Sequence, residues 1–377
     1  MKIAILAGEK SGDNYGALLA ESIKKILPGA FIFGTGGEKM NARMDLSIEG
    51  LPFGKMGFSG VLANIRLFYR SFKKIKKAVE EREPSLIIFI DNPGFNLKMA
   101  EALGEKFPCF YYVPPKIWAH NYGRIKTIKK YIKGVVAVFP FEEEIYLREG
   151  ILCGWFGHPA ADLMKYELHN TGDSAPADKK LRTIGLLPGS RQEEVNYLLP
   201  VFIRIVEGIA GETAVEILLS ASDGSIRKTE ETILKKHGVQ FKISEGAPHS
   251  VIKQSDILLA ASGTINMEAA LMEKPMLVFY KTSVLNYLLA RIMVKLRFVS
   301  PVNLLAGEKA VPEYIQRFPC GRIIMDCMEI LHKGALYRKE TECFRIIKKA
   351  MGSGSVSAKT AEFILRESGL LKINPSC

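Results

Sequence analysis

Apolar residues along this chain fall into short unbroken runs: Ile3–Leu6, Phe31–Phe33, Leu86–Ile90, Phe110–Val113 and Val135–Phe139. Stretches of helical periodicity separate them. A run of several apolar residues with no polar alternation predicts a strand covered on both faces, and strands alternating with helices predict a parallel α/β sheet. Near residue 166 the pattern lapses into YELHNTGDSAPADKK, polar and rich in chain breakers, which reads as a linker. The alternation restarts with Thr183–Leu187, Val215–Leu219, Ile257–Ala260 and Met276–Phe279. The expected fold class is α/β, two successive Rossmann-like domains facing a cleft. Residues 1–165 make the first, 166–180 the linker, 181–345 the second, and 346–377 a helical tail able to pack on either. No internal repeat is visible, so the second half is expected to reach a similar fold with different residues.

Ligands of such sheets bind beyond the carboxyl ends of the strands, which makes the loops there the candidate sites. After the strand Ile257–Ala260 comes Ser262-Gly263-Thr264 and a helix from Ile265 to about Met272. Ser262 and Thr264 suit a helix N-cap and Gly263 permits close backbone approach, so this turn can present bare N–H groups and the positive end of a helix to a phosphate or diphosphate. It reads equally as a strand-to-helix turn that binds nothing. Leu187-Pro188-Gly189-Ser190-Arg191 repeats the arrangement. Arg191 there can neutralise a diphosphate or pair with Glu193 or Glu194. Glu268 can accept from ribose hydroxyls, or simply answer the helix dipole.

In the first half, the turn AGEKSGD (Ala7–Asp13) lacks the order G-x-G-x-x-G, which argues against dinucleotide binding. A second glycine turn, Gly34 to Gly37, follows the Phe31–Phe33 run. Asp91, in DNPGFN directly beyond Leu86–Ile90, is placed for a general base; the same residues also form a turn in which Asp caps its own backbone, and spacing alone favours the turn.

Composition narrows the partners. With 52 Lys and Arg against 40 Asp and Glu in 377 residues, the net charge of +12 points to anionic partners. The charge lacks aromatic interleaving and any helix-turn-helix cue, which counts against nucleic acid. No apolar run is long enough to span a bilayer, and the chain opens directly into a strand without a signal-peptide pattern. The six cysteines show no zinc spacing and read as reduced thiols of a cytoplasmic protein. No Asp-x-Asp, P-loop or Gly-x-Ser-x-Gly motif is present, so neither metal nor cofactor is expected. In 61–79, Leu62, Ile65, Phe68, Tyr69 and Phe72 share one helical face and Arg66, Arg70, Lys73, Lys74 and Lys77 the other. Such a helix can lie on an anionic membrane or pack on its own domain. The apolar segment Val284–Phe298 is too short to span and reads as interior, subunit contact or membrane dip.

The ordered motifs resemble those of the lipid-A-disaccharide synthase family: AGEKSGD, GTGGEKM (Gly34–Met40), DNPGFNLKMA (Asp91–Ala100), VPPKIWAH (Val113–His120), FPFEEEIY (Phe139–Tyr146), FGHPAAD (Phe156–Asp162), LLPGSRQEE (Leu186–Glu194), ASGTINMEAAL (Ala261–Leu271) and VPEYIQ (Val311–Gln316). Lys10, Pro114 and His120 depart from the family pattern. The resemblance implies a GT-B glycosyltransferase that inverts configuration. It would transfer diacylglucosamine from UDP-2,3-diacylglucosamine to 2,3-diacylglucosamine 1-phosphate, giving lipid A disaccharide 1-phosphate and UDP. It implies Asp91 as general base and Gly189, Ser190, Arg191, Ser262, Gly263, Thr264, Glu268 and Asn303 around the nucleotide-sugar. Ser11, Gly12, Asp13, Gly36, Asn96 and Trp118 would line the acceptor side. Because both substrates are acylated, the basic helix is expected on the inner face of the inner membrane, making this a peripheral protein of the cytoplasmic side. The resemblance also allows a homodimer, with Val284–Phe298 as candidate contact. The alternatives are a UDP-sugar epimerase of the same fold and a non-catalytic, membrane-bound nucleotide-binding protein.

Overall fold

The computed structural model of the chain describes residues 1–49, 65–119, 121–164, 181–220, 225–237, 240–244, 248–284, 287, 297–351 and 355–371. The chain divides into two units, Met1–Leu163 with Ser353–Cys377, and Met164–Gly352. In the first unit β1 (Lys2–Ala7), β2 (Phe31–Thr35), β3 (Leu46–Ser47), β4 (Leu86–Ile90), β5 (Cys109–Tyr112), β6 (Gly134–Ala137) and β7 (Cys153–Trp155) form a parallel sheet ordered β3-β2-β1-β4-β5-β6-β7. In the second, β8 (Arg182–Leu187), β9 (Val215–Ser220), β10 (Lys242–Ser244), β11 (Ile257–Ala261), β12 (Met276–Tyr280) and β13 (Glu313–Ile315) are ordered β10-β9-β8-β11-β12-β13, again parallel. Both sheets are doubly wound, and each reverses direction at one place: between β1 and β4, and between β8 and β11.

The unbroken apolar runs are the inner strands. Side chains alternate across the sheet: Ala4, Leu6, Ile87 and Phe89 enter the layer containing Phe95 and Tyr111, while Ile3, Ile5, Ile88 and Ile90 enter the layer containing Tyr15, Leu19 and Phe110. Each fully buried aliphatic side chain contributes about 1.5–3 kcal/mol relative to exposure, which explains why neither face tolerates polar residues. The four outermost strands, β3, β7, β10 and β13, carry no such run. They pair on one side only, are two or three residues long, and stay partly exposed. Val113, expected in a strand, instead turns the chain at φ 57°, and Phe139 is the N-cap of the helix Pro140–Arg148.

The tail is shared. The helix Ala335–Ala350 packs in the second unit against the helices Thr264–Leu271 and Cys320–Leu331. The helix Val356–Glu367 belongs to the first unit and lies along Lys10–Ile26, with Phe363 meeting Phe110 and Phe156. Asp162, of the FGHPAAD motif, holds its start: the carboxylate accepts from Ser355 Oγ (3.0 Å) and from the backbone N–H groups of Val356 (3.0 Å) and Ser357 (2.6 Å). The expected linker at 166–180 lies outside the described residues, as does most of Val284–Phe298; within that segment Val284 is 75% exposed and Phe298 is buried.

The basic helix spans Ile65–Arg82, and its apolar stripe faces inward. Phe68 and Phe72 meet the core ring of Phe95 edge-on, at 5.5 and 6.0 Å between centroids, and Ile75 and Val79 are buried below them. The expectation that Phe68 and Phe72 face lipid is therefore corrected: the same periodicity that marks a membrane helix also docks a crossover helix on its own sheet. Leu62 and the side chain of Ile65 lie outside the described residues. What the helix exposes is Leu67 and Tyr69 beside Arg66, Arg70, Lys73, Lys74 and Lys77.

Candidate active site

In the first unit the switch point lies beyond the carboxyl ends of β1 and β4, where the departing chains diverge. The two loops still touch: a Cβ on Gly8 would fall 2.1 Å from Asn92 Nδ2, so any larger residue has to push the Asn92 amide aside. Asp91 and Asn92 both take left-handed conformations, φ 50° and 44°. Aspartate and asparagine tolerate that region better than most residues, and two in succession at a strand end store local strain. The Asp91 carboxylate accepts from Ser11 Oγ at 3.2 Å on Oδ2 and from the Asn92 backbone N–H at 2.8 Å on Oδ1, and remains partly exposed. Each oxygen thus keeps acceptor capacity for a hydroxyl.

Other residues expected on this side hold the loops in place. Asn96 is buried, and its Nδ2 donates to the carbonyls of Leu6 (3.3 Å), Ile90 (3.1 Å) and Asp91 (2.8 Å), stitching the switch point from below. Asp13 is buried and accepts the backbone N–H groups of Gly37 (2.8 Å), Lys39 (3.2 Å) and Met40 (2.8 Å), capping the short helix Glu38–Asn41. Gly12 is buried in the first turn of its helix and Gly36 packs on Met40. Trp118, in the loop beyond β5, donates its indole N–H to Glu142 at 2.7 Å and is edge-on to Phe139 and Phe141. Burial raises the Glu142 carboxyl, against the hydrogen bonds from Trp118 and the backbone N–H groups of Val138 and Phe139. His158 is buried beside Tyr15 and accepts from the Ala160 N–H on Nδ1. Burial, then the charge of Lys116, lowers its pKa to about 3, so it is a neutral ring with its proton on Nε2.

In the second unit the corresponding point lies beyond β8 and β11. Gly189 has φ 115°, and a Cβ there would lie 2.3 Å from Glu194 Oε2. Glu194 accepts from the N–H groups of Ser190 (3.0 Å) and Arg191 (3.3 Å), which occupies the start of the helix Gln192–Ala210 with the protein's own carboxylate. Burial raises the Glu194 carboxyl, opposed by the Arg191 charge and those N–H groups. The Arg191 guanidinium lies 3.7 Å from Glu194 and is 60% exposed. The start of the helix Thr264–Leu271 is more open. Ser262 Oγ donates to the Val299 carbonyl at 2.7 Å, and Asn266 Oδ1 takes the Gly263 N–H at 2.9 Å. Among the described residues nothing accepts from the N–H groups of Thr264 and Ile265, and a Cβ on Gly263 would meet open space. Of the two helix starts, this one offers an anion the freer set of donors.

Asn303 is fully buried and its amide is used internally: Nδ2 donates to the Val311 carbonyl and Glu313 Oε1, and Oδ1 accepts from the Val311 N–H. Its part is to brace the segment that Ser262 touches. Glu268 is nearly buried and pairs with His249, Nε2 to Oε2 at 2.9 Å. Sequence reasoning missed His249, Glu313 and Tyr111, whose hydroxyl donates to the Asp91 carbonyl at 2.6 Å. None has a local signal; each is defined by a partner distant in sequence.

The model of the lipid-A-disaccharide synthetase family matches residues 3–351. The chain belongs to that family. It is 31% identical to a lipid-A-disaccharide synthase of Myxococcus xanthus, with 97% of both chains covered, and 32% identical to one of Solibacter usitatus, with 88% of both covered. Solved structures share the fold: S. aureus MnaA in complex with UDP at TM-score 0.71 and 16% identity, covering 100% of this chain and 99% of that one, and the glycosyltransferase SnogD of Streptomyces nogalater at 0.58 and 15%, covering 98% and 100%. As a lipid-A-disaccharide synthase family member, the chain is a glycosyltransferase of two Rossmann-like units. Among the described residues no helix is long and apolar enough to cross a membrane.

Proposed function

We propose that this enzyme transfers 2,3-diacylglucosamine from its UDP derivative to 2,3-diacylglucosamine 1-phosphate with inversion, releasing UDP and forming a β-1,6-linked disaccharide 1-phosphate. The observation that carries the chemistry is the Asp91 carboxylate, held at a switch point by Ser11 and Asn92 N–H with an oxygen lone pair still available on each side. Asp91 takes the proton of the acceptor 6-hydroxyl as that oxygen bonds to the anomeric carbon of the donor. The bond from that carbon to the diphosphate oxygen breaks on the opposite face, so an α-linked donor gives a β-linked product. The open start of the Thr264–Leu271 helix and the exposed Arg191 guanidinium meet the charge left on UDP. Glu268 receives the ribose hydroxyls.

Substrates with acyl chains have to be reached at a bilayer. The exposed face of Ile65–Arg82, five basic residues around Leu67 and Tyr69, supports docking on an anionic leaflet by charge with shallow apolar contact. That face supports the reading of a peripheral protein on the inner face of the inner membrane. The fold is shared with UDP-N-acetylglucosamine 2-epimerases. The reactions separate in one assay of UDP release: the transferase releases UDP from UDP-diacylglucosamine only when the acceptor is added. Conversion of UDP-N-acetylglucosamine without an acceptor would instead establish an epimerase.

A further inference from the structure

His249 and Glu268 stand on the two helices that flank β11 in sequence. His249 is in the first turn of Pro248–Gln254, which leads into the strand, and Glu268 is one turn into Thr264–Leu271, which leaves it. The pair is close, Nε2 to Oε2 at 2.9 Å, and sheltered, with side-chain exposures of 13% and 8%. Its setting is rigid. Val251 and Ile252 anchor the first helix in the interior, Ser255 Oγ donates to the Val251 carbonyl at 2.6 Å, and Lys274 Nζ closes the helix end on the carbonyls of Lys253 (2.7 Å) and Ser255 (2.9 Å). Glu268 is rooted by Met267, Ala269 and Ala270, all fully buried. Among the described residues no other side chain bonds the Glu268 carboxylate.

A carboxylate on a flexible three-bond stem has many orientations, and a nearly buried one is costly unless paired. A ring nitrogen 2.9 Å from one oxygen, an ion-pair contact rather than an aligned hydrogen bond, eases both problems by giving the buried carboxylate a partner on one side and narrowing the orientations open to it. We infer that His249 is a positioning residue for nucleoside recognition: it holds Glu268 by Oε2 so that Oε1 accepts from the ribose hydroxyls of the nucleotide whose diphosphate sits at the Thr264 helix start. The inference rests on the UDP-sugar reading above and adds to it a residue that never touches substrate but decides how well ribose is distinguished.

The test uses the full-length protein and calorimetric titration with UDP and with 2′,3′-dideoxy-UDP. The wild type is expected to prefer UDP. His249→Ala should weaken UDP by about tenfold, the worth of one hydrogen bond to a charged group, while leaving dideoxy-UDP within about twofold. Glu268→Gln should lose the same preference, and the double variant should add nothing further. His249→Gln, which keeps an N–H in reach of the carboxylate, should recover part of the preference; it also serves if the alanine variant does not fold. Equal weakening of both nucleotides in His249→Ala, or a full preference for UDP in that variant, would overturn the inference while leaving the UDP-sugar reading intact. A wild type that binds neither nucleotide would overturn that reading and the inference with it.

Discussion

Ser11 and Asp91 lie eighty residues apart in the chain and are joined side chain to side chain, Oγ to Oδ2, at 3.2 Å. The contact exists because β1 and β4 are neighbours at the switch point, with Ala7 opposite Ile90 in register. Its effect is to fix one carboxylate oxygen while the Asn92 N–H fixes the other. Ser11→Ala should leave folding intact and lower turnover by about tenfold, as the carboxylate gains rotational freedom. Steady-state kinetics should show the loss in kcat, with KM for the donor unchanged.

Gly189 is the backbone joint of the second unit's site. With φ at 115° and Glu194 Oε2 at 2.3 Å from any added Cβ, Gly189→Ala has to displace the Glu194 carboxylate from the Ser190 and Arg191 N–H groups. The expected cost is about 1–3 kcal/mol, measured by urea denaturation, together with weaker UDP binding. Gly263→Ala, where added bulk meets open space, should keep near-normal stability.

Burial of His158, reinforced by the Lys116 charge, lowers its folded-state pKa from 6.5 to about 3. The unfolded chain therefore takes up the proton first. The stability that neutral His158 contributes is complete above 6.5 and is lost as pH falls toward 3. His158→Asn keeps an acceptor for the Ala160 N–H and has no proton to bind. Its urea midpoint should fall less on acidification than the wild type's, the gap between them growing to an order of a few kcal/mol near the lower limit. Parallel acid limbs would contradict the assignment of a buried neutral ring.

Charge on the exposed face of Ile65–Arg82 is expected to set membrane affinity, since Phe68 and Phe72 are engaged with Phe95. Reversing Arg66, Arg70 and Lys73 to glutamate should abolish sedimentation with vesicles containing anionic lipid, and added salt should mimic the effect. Phe72→Ala should lower thermal stability, because it opens a gap against a core ring.

The inner strands and both glycine turns were legible because a strand buried on two faces has only one kind of sequence available to it. The edge strands β3 and β13 were not, since one-sided pairing makes little demand on side chains. The place of Asp91 directly after a buried strand was legible, and so was the turn in which its carboxylate takes the next backbone N–H. What the local sequence withheld was the difference between a polar residue that faces a ligand and one that holds a loop. Asp13, Asn96 and Asn303 were all expected at the site; Asp13 and Asn303 spend their side-chain polar atoms on backbone or neighbouring groups, and Asn96 spends its Nδ2 on three backbone carbonyls. Their partners are brought close only by the folded sheet. Helical periodicity likewise placed Phe68 and Phe72 on the apolar face of Ile65–Arg82 but misplaced Tyr69, which is exposed, and carried no information on which side the domain lay.

The most direct measurement incubates the protein with UDP-2,3-diacylglucosamine and 2,3-diacylglucosamine 1-phosphate and follows products by mass spectrometry, beside a folded Asp91→Asn variant. The wild type should form the disaccharide 1-phosphate and UDP in equal amounts, and the variant should turn over about 10²–10⁴-fold more slowly. No disaccharide from the wild type, or near-normal turnover by the folded variant, would contradict the assignment of Asp91 as the base of this transfer.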